Sequence, residues 1–174
     1  MQQKIWFSAD LHLGHHNIIK YCNRPFSTSQ EMDKKIISNF QSVIKKGDLL
    51  YLLGDLSWST YKFSEFMEQM PTKEFHVVWG NHDKHNRRAR LPWRSENELS
   101  ALTIEGQYVV LCHYALRTWN GKGRGAFQLY GHSHGTLPGE GRQMDVGVDT
   151  NNFFPYSWDD IKERLSGIPY NQYD

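Results

Sequence analysis

The feature that most restricts the fold of this chain is a short apolar stretch that ends in a glycine and then in polar side chains. Its clearest copy is residues 75–83, where Phe-His-Val-Val-Trp precedes Gly80, Asn81, His82 and Asp83. A glycine at a strand end lets the backbone turn sharply, so the next side chains project beyond the edge of a sheet. A single copy of this motif is weak evidence for a functional site, because Asn and His beside Gly are ordinary turn residues.

Four further strand-like stretches end in the same kind of polar side chain. They are residues 4–9, 49–53, 108–111 and 126–130, followed by Asp10 and His12, by Asp55, by His113, and by His132 and His134. Side chains two positions apart on an extended segment point to the same side, so Asp10 and His12 can share an ion. Five motifs at five strand ends indicate one shared site, since α/β sheets place their sites at the carboxyl ends of strands.

The chemistry of the collected side chains indicates the kind of metal. They comprise two carboxylates, one amide and four imidazoles, without a thiolate: Asp10, His12, Asp55, Asn81, His113, His132 and His134. Such ligands suit Mn²⁺, Fe²⁺, Zn²⁺ or Ni²⁺ better than a structural zinc, whose sites favour cysteine. Seven ligands are too many for one ion and right for two that share a carboxylate. Two ions about 3.5–4 Å apart can clamp the attacking and leaving oxygens at phosphorus, which predicts phosphoester hydrolysis.

Bulk properties place few other limits on the protein. The 174 residues predict one domain over residues 1–174, and a 39% hydrophobic composition without a long apolar run predicts no membrane span. Because a strand-like segment follows the first residues directly, we expect no signal peptide, and Cys22 and Cys112 are too few for a disulfide framework. We therefore expect a cytoplasmic protein. Its net charge of +1 argues against bulk polyelectrolyte binding but leaves local basic patches open.

The order of the motifs, Asp-x-His, Gly-Asp, Gly-Asn-His-Asp, His and Gly-His-x-His, resembles the calcineurin-like metallophosphoesterase superfamily. The resemblance runs from Asp10 to His134, nearly the whole domain. Residues 17–26 further resemble a small, cap-less, single-domain subgroup found in bacteria and their phages. The resemblance implies an α/β fold, a four-layer sandwich in which two mixed β-sheets pack face to face with helices on the outside.

The resemblance also implies how the ligands divide between two divalent ions. Among the ions that suit these donors we expect Mn²⁺, with Fe²⁺, Zn²⁺, Ni²⁺ and Co²⁺ as the alternatives. One ion is held by Asp10, His12, Asp55 and His134, and the other by Asp55, Asn81, His113 and His132, with Asp55 bridging. The resemblance further implies that a hydroxide between the ions attacks phosphorus and that His82 protonates the leaving oxygen or steadies the transition state. From the residues alone, Asp83 either orients the His82 ring or closes the turn.

Basic residues near the motifs suggest where a phosphate could be held. We predict phosphate contacts for Arg24, Arg87 and Arg117, because the arginine fork fits phosphate oxygens. Residues 84–95, basic and without an acidic side chain, are either a solvated loop or a phosphate-contacting rim. His15 and His16 adjoin the first motif but face different ways, and we interpret them as surface residues or as residues behind the ligands.

The sequence departs from the superfamily pattern at two places, and the first of them narrows the function. Asp55 is followed by Leu-Ser-Trp-Ser, where the protein Ser/Thr phosphatases of the superfamily carry an arginine, which counts against that activity. Asp145 stands where many relatives have asparagine. The predicted substrate is a nucleotide-type phosphodiester, a phosphomonoester or a single-stranded nucleic acid, without an obligate protein partner. Pyrophosphate hydrolysis of a dinucleotide is the second candidate chemistry, and an inactive interaction scaffold is the candidate of a different class.

Overall fold

Two mixed β-sheets form the centre of the protein, in a computed structural model that describes residues 3–172. The first sheet has the order β4-β3-β2-β1-β9. Its strands are β1 (Ile5–Ser8), β2 (Leu49–Leu53), β3 (Glu74–Val78), β4 (Ser95–Asn97) and β9 (Tyr156–Ser157). Strands β1 to β4 pair in parallel, and only β9 runs antiparallel to its neighbour β1.

The second sheet has the order β5-β6-β7-β8. Its strands are β5 (Leu99–Ile104), β6 (Gln107–Cys112), β7 (Phe127–Tyr130) and β8 (Gln143–Asp145). The first two form an antiparallel hairpin, and the remaining pairs are parallel. Strands β4 and β9 were not anticipated, because two or three residues carry no readable alternation of apolar and polar side chains.

Five α-helices accompany the sheets in the described part of the chain. They are α1 (His16–Tyr21), α2 (Ser29–Val43), α3 (Thr60–Gln69), α4 (Lys84–Arg88) and α5 (Trp158–Leu165). Side chains start three of them: Thr28 and Ser59 accept backbone N–H bonds from the first turns of α2 and α3, and Ser157 forms a capping box with Asp160. None of these helices is long and apolar enough to cross a membrane.

Apolar side chains fill two separate layers of the core. The layer between the sheets contains Phe7, Leu53, Val78, Leu111, Phe127 and Leu129, with Trp158 and Ile161 of α5 at its margin. The layer on the other face of the first sheet contains Leu50, Leu52, Phe75 and Val77 against Ile36, Phe40, Phe63 and Phe66 of α2 and α3. The first sheet is therefore apolar on both faces, as its continuous apolar strands predict.

The predicted fold class is confirmed: two mixed sheets pack face to face, and helices cover the outer face of the first sheet. The second sheet is covered differently. Trp119 packs there against Val110 and Ala126, with Leu116 beside them, and Trp119 and Leu116 belong to the loop that follows β6. The outer layer on that side is a loop at these residues.

The parallel pairing places several strand ends close together. Strands β1, β2 and β3 run in one direction in the first sheet, and β6 and β7 run in one direction in the second. A single bridge between Ala9 and Gly147 joins the end of β1 to the segment after β8. The turns that follow these strands carry the polar motifs of the sequence.

Candidate metal centre

The structure brings six of the seven predicted ligands into two groups. Asp10, His12 and His134 form the first group, and Asp55, His113 and His132 form the second. Within each group the ligand atoms all lie within 4.8 Å of one another. The division follows the one that the resemblance implies, while the function of these residues as ligands stays a prediction.

Asp55 connects the two groups. Its Oδ2 lies 3.6 Å from Nε2 of His12 and 3.6 Å from Nε2 of His113. Its Oδ1 accepts the backbone N–H of His82 at 2.9 Å, which fixes the carboxylate. One oxygen of Asp55 therefore faces a histidine of each group.

Asn81, the seventh predicted ligand, lies beside the second group. Its Oδ1 is 3.1 Å from Nε2 of His113 and 3.4 Å from the hydroxyl of Tyr114. The ring of Tyr114 stands edge-on to that of His132, with centroids 4.8 Å apart. Tyr114 is thus a neighbour of the centre that the sequence analysis did not single out, since a lone tyrosine after a strand carries no recognisable signal.

Unusual backbone angles position most of these side chains. Five predicted ligands have a left-handed backbone: Asp10, His12, Asp55, His132 and His134, with φ between 48° and 66°. This conformation costs about 1–3 kcal/mol for a residue other than glycine and persists only where the surrounding structure enforces it. It turns the chain back directly after each strand, so side chains from several strands reach one point.

Two glycines allow the backbone to approach the ligands closely. A Cβ on Gly80 would lie 2.3 Å from Oδ1 of Asp55, and one on Gly54 would lie 2.5 Å from Nδ1 of His113. The sequence analysis attributed Gly80 to a sharp turn, but only Gly54 of this pair has a positive φ, at 86°. Gly80 is required by lack of space beside the carboxylate.

The residues of the first group fit a bound cation. Nε2 of His12 is a buried nitrogen without a hydrogen-bond partner among the described residues, and such orphaned polar atoms are rare in folded proteins. Burial lowers the pKa of His12 well below its usual value, which leaves the imidazole neutral, the form that binds metal.

Asp10 provides a carboxyl group in the same place. Its side chain is fully buried and accepts the backbone N–H of His132 at 2.8 Å and 3.0 Å. Burial raises its pKa well above the usual range, and the nearby carboxylates of Asp145 and Asp55 add to that effect, while His134 opposes it. Buried carboxylates this close to one another need positive charge between them, and a divalent ion supplies it.

Arg24 lies behind the first group and does not face the substrate side. Its guanidinium is fully buried and donates two 2.7 Å hydrogen bonds to the carboxylate of Asp149. It also donates to the backbone oxygens of Asp10 and Leu11, at 2.7 Å and 3.2 Å. The prediction that Arg24 contacts a phosphate is wrong, because its hydrogen-bonding groups are already engaged inside the protein.

Asp149 joins this arginine to a predicted ligand. Nδ1 of His134 donates to Asp149 at 2.7 Å, which leaves Nε2 of His134 for the centre. Burial would raise the pKa of Asp149, but hydrogen bonds from His134 and Arg24 outweigh it and lower that pKa. For His134, burial would lower the pKa, but hydrogen bonds to Asp149 and Cys22 and the negative charges of Asp10 and Asp149 together raise it to about 10. Sequence reasoning missed Asp149, which no motif marks.

Asp83 holds the turn together. Its buried carboxylate accepts the backbone N–H groups of Asp55, Leu56 and Gly80 at 2.7–2.9 Å. Within residues 3–172 none of its hydrogen bonds goes to the His82 ring. The interpretation that Asp83 orients His82 is therefore wrong, and the alternative that it closes the turn is the one that the geometry supports.

His82 lies at the open side of the centre. Its side chain is exposed, and its ring stands edge-on to that of His12 with centroids 5.7 Å apart. The polypeptide holds it through its backbone N–H, which donates to Asp55. A proton donor for a departing oxygen requires such exposure and proximity, and this function of His82 stays a prediction.

The other predicted phosphate contacts lie on the surface. Arg87 pairs with Glu98, with 2.6 Å between Nη2 and Oε2, and its guanidinium lies 5.5 Å from the ring centroid of Trp79. Arg94, in the same basic segment, pairs with Glu74 at 2.7 Å. These partners favour the solvated alternative for residues 84–95. Arg117 is exposed, and its phosphate contact stays a prediction.

The structure explains why an aspartate stands at position 145. Its carboxylate accepts the backbone N–H groups of Gly135 at 2.9 Å and Gly147 at 2.8 Å. It therefore joins the turn after β7 to the turn after β8, behind Asp10. Burial raises its pKa above the usual value.

The two sheets, with turns that collect aspartates and histidines at one edge, define a class of metal-dependent hydrolase. Residues 3–160 match the family model described as calcineurin-like phosphoesterase, and the chain belongs to that family. It is 31% identical over 172 residues to the uncharacterized protein MJ1445 of Methanocaldococcus jannaschii, a match that covers 94% of this chain and 92% of that protein.

Two other similarities are more distant. The crystal structure of AQ665, a protein of unknown function from Aquifex aeolicus, superposes with a TM-score of 0.75 at 21% identity, over 94% of this chain and 100% of that one. The two proteins share a fold. The Gene 66 protein of Mycobacterium phage L5 is 29% identical over 82 residues, which are 45% of this chain and 39% of that protein.

Proposed function

We propose that the protein is a dinuclear metal-dependent phosphoesterase that hydrolyses phosphoester bonds in a nucleotide-type substrate. The observation that carries the proposal is the position of Asp55, whose Oδ2 lies 3.6 Å from a histidine nitrogen of each ligand group. A carboxylate placed in this way suits two ions that share it.

The proposed ligand sets follow the two groups. One ion takes Asp10, His12, Asp55 and His134, and the other takes Asp55, Asn81, His113 and His132. When bound, divalent ions lower the pKa of water and neutralise charge on the phosphoryl oxygens. Mn²⁺ is the proposed ion, and Fe²⁺, Co²⁺, Ni²⁺ and Zn²⁺ suit the same donors.

The polypeptide prepares the histidines for this role. Nδ1 of His113 lies 2.7 Å from the backbone oxygen of Leu53, so that nitrogen carries the proton and Nε2 is left with its lone pair. The charged carboxylate of Asp149 accepts a hydrogen bond from Nδ1 of His134 in the same way. Partners of this kind orient the ring and raise the basicity of the nitrogen that binds metal.

His82 is the proposed proton donor to the leaving oxygen. Its ring is exposed beside His12 and is not in either ligand group. A substrate phosphate that reached the centre from solvent would pass this imidazole. General acid catalysis of this kind contributes about 10²–10⁴-fold when the leaving group is a poor one.

Metal analysis and hydrolysis assays on one preparation test the proposal. The protein is stripped with chelator, reloaded with each of the five ions, and assayed on bis-p-nitrophenyl phosphate, p-nitrophenyl phosphate and a dinucleoside pyrophosphate. We expect about two ions per chain and hydrolysis that depends on them, strongest with Mn²⁺. Two bound ions without hydrolysis of any substrate would favour the inactive scaffold, and hydrolysis of the pyrophosphate alone would favour the second candidate chemistry.

A further inference from the structure

An exposed tryptophan lies close to the candidate centre. Trp58 is 59% exposed, whereas the other tryptophans of the described chain are buried or half-buried. A scattered exposed aromatic residue needs no explanation, so the position of Trp58 is what matters. It follows Asp55 by three residues, on the turn that leaves the centre.

Trp58 belongs to a stack of rings that begins at a predicted ligand. The ring of His15 lies 5.5 Å from that of His12 and stacks on Trp58, with centroids 4.3 Å apart and planes 14° apart. Tyr21, which is 72% exposed, stands edge-on to His15 at 6.4 Å. The rings form a continuous aromatic surface from the centre to solvent.

The backbone beneath this surface is firmly held. The N–H of Trp58 donates to the backbone oxygen of Leu13 at 2.8 Å, and Leu13 pairs with Ser57 in an isolated bridge. The Ser57 hydroxyl donates to the backbone oxygen of Ser59 at 2.8 Å. A surface held in place before binding loses little conformational entropy when a ligand arrives.

We propose that the surface formed by Trp58, His15 and Tyr21 stacks a nucleobase of the substrate, an inference that rests on the proposed phosphoesterase function. Nucleobases stack on aromatic side chains irrespective of sequence, because every base presents a π-face. A base on Trp58 would direct its attached phosphate past His15 toward the centre. Three side chains are too few for a stable protein interface, which needs about 800 Å² on each partner.

Two phosphodiesters with the same leaving group test the inference. Thymidine 5′-(p-nitrophenyl phosphate) carries a base, and methyl p-nitrophenyl phosphate does not. We expect Trp58→Ala to lower the ratio of kcat/KM between the base-bearing and base-free esters by about 5- to 100-fold, mostly through KM. Trp58→Phe keeps a ring and should retain most of the ratio. Tyr170→Ala removes an exposed ring that packs on Arg142, away from the centre, and should leave the ratio unchanged.

A binding measurement separates this inference from the proposed function. Adenosine 5′-monophosphate and oligothymidylate are titrated against the tryptophan fluorescence of the wild type, with ribose 5-phosphate as the base-free probe. Quenching by either base-bearing ligand that Trp58→Phe abolishes supports the surface, and the stronger of the two identifies a mononucleotide or a strand. An unchanged ratio, or no quenching, would overturn the inference even if both esters are hydrolysed. Failure to hydrolyse either ester would overturn the proposed function, and the titration would still decide on base binding.

Discussion

The two ligand groups differ in what holds their side chains. The first group is backed by a buried ion pair, Arg24 with Asp149, which in turn holds His134. In the second group His113 hydrogen-bonds to a neutral backbone oxygen, and His132 is exposed to solvent. A charged, buried partner holds a ring more firmly than water does, because the low local dielectric strengthens its hydrogen bonds. We therefore expect the first group, once His134 has lost its proton, to bind its ion more tightly and the second to exchange its ion more readily.

The largest effect should come from Asp55, which the two groups share. Asp55→Asn keeps the shape of the side chain and removes its charge, so both groups should lose their ions and turnover should fall below detection. Metal content and hydrolysis of bis-p-nitrophenyl phosphate measure the outcome. Asp48→Asn changes a buried carboxylate that accepts from Lys4 and Trp6 instead, and should keep both ions. Two ions and near-normal activity in the Asp55 variant would show that the groups are independent.

A variant of His82 tests whether this residue, at the open side of the centre, donates a proton to the leaving oxygen. His82→Ala should keep two ions and lose little activity on bis-p-nitrophenyl phosphate, whose leaving group departs without a proton. On an ester with an alkoxide leaving group we expect a loss of about 10²–10⁴-fold. His85→Ala, at an exposed histidine outside both groups, is the matched control. Equal losses on both esters would indicate that His82 positions the phosphoryl group, and loss of metal would make it a ligand.

Asp149 tests the buried support of the first group alone. Asp149→Asn should weaken ion binding at that group by about 10–100-fold and leave the second group unchanged. The variant should also be less stable, since breaking a buried ion pair costs about 3–5 kcal/mol. Chelator competition and denaturant unfolding provide the two measurements.

A variant of an exposed ion pair calibrates the effect of Asp149→Asn. Glu98→Gln breaks the surface pair with Arg87, and we expect it to change stability by less than about 1 kcal/mol. If Asp149→Asn weakened both groups to the same extent, the contrast between them would not hold.

The smallest difference that we expect between the two ligand groups is in the pH dependence of ion binding. Burial would lower the pKa of His134, but its hydrogen bonds to Asp149 and Cys22 and the charges of Asp10 and Asp149 together raise it to about 10. Below that pH an ion at the first group must therefore displace a proton. Burial and the neighbouring His113 lower the pKa of His132, so protons compete there only in acid. Between pH 7 and 9 affinity at the first group should rise by up to about tenfold per pH unit while the second stays nearly level. Parallel slopes in chelator competition would contradict this.

Sequence patterns were sufficient to predict which strand ends carry the residues of the candidate metal centre. Apolar runs indicated the strands, and the polar residues after them, such as Asp10 and Asp55, were predicted to meet because α/β sheets place their sites at the carboxyl ends of strands. The same reasoning failed for Arg24, whose nearness to a motif suggested a phosphate contact. Its partner Asp149 lies 125 positions away in the chain, and no local pattern marks such a pairing.

The sequence by itself determined which residue types stand at the strand ends, and hence the hard and borderline donors that suit a divalent metal ion. The division of those donors into two groups around Asp55 depends on how the second sheet packs on the first, which brings His113 and His132 to a carboxylate from another sheet. The tertiary structure also decided that Arg24 lies inside and Trp58 outside. Burial and distant pairing are properties of the packed chain, because each depends on residues far apart in sequence filling the same space.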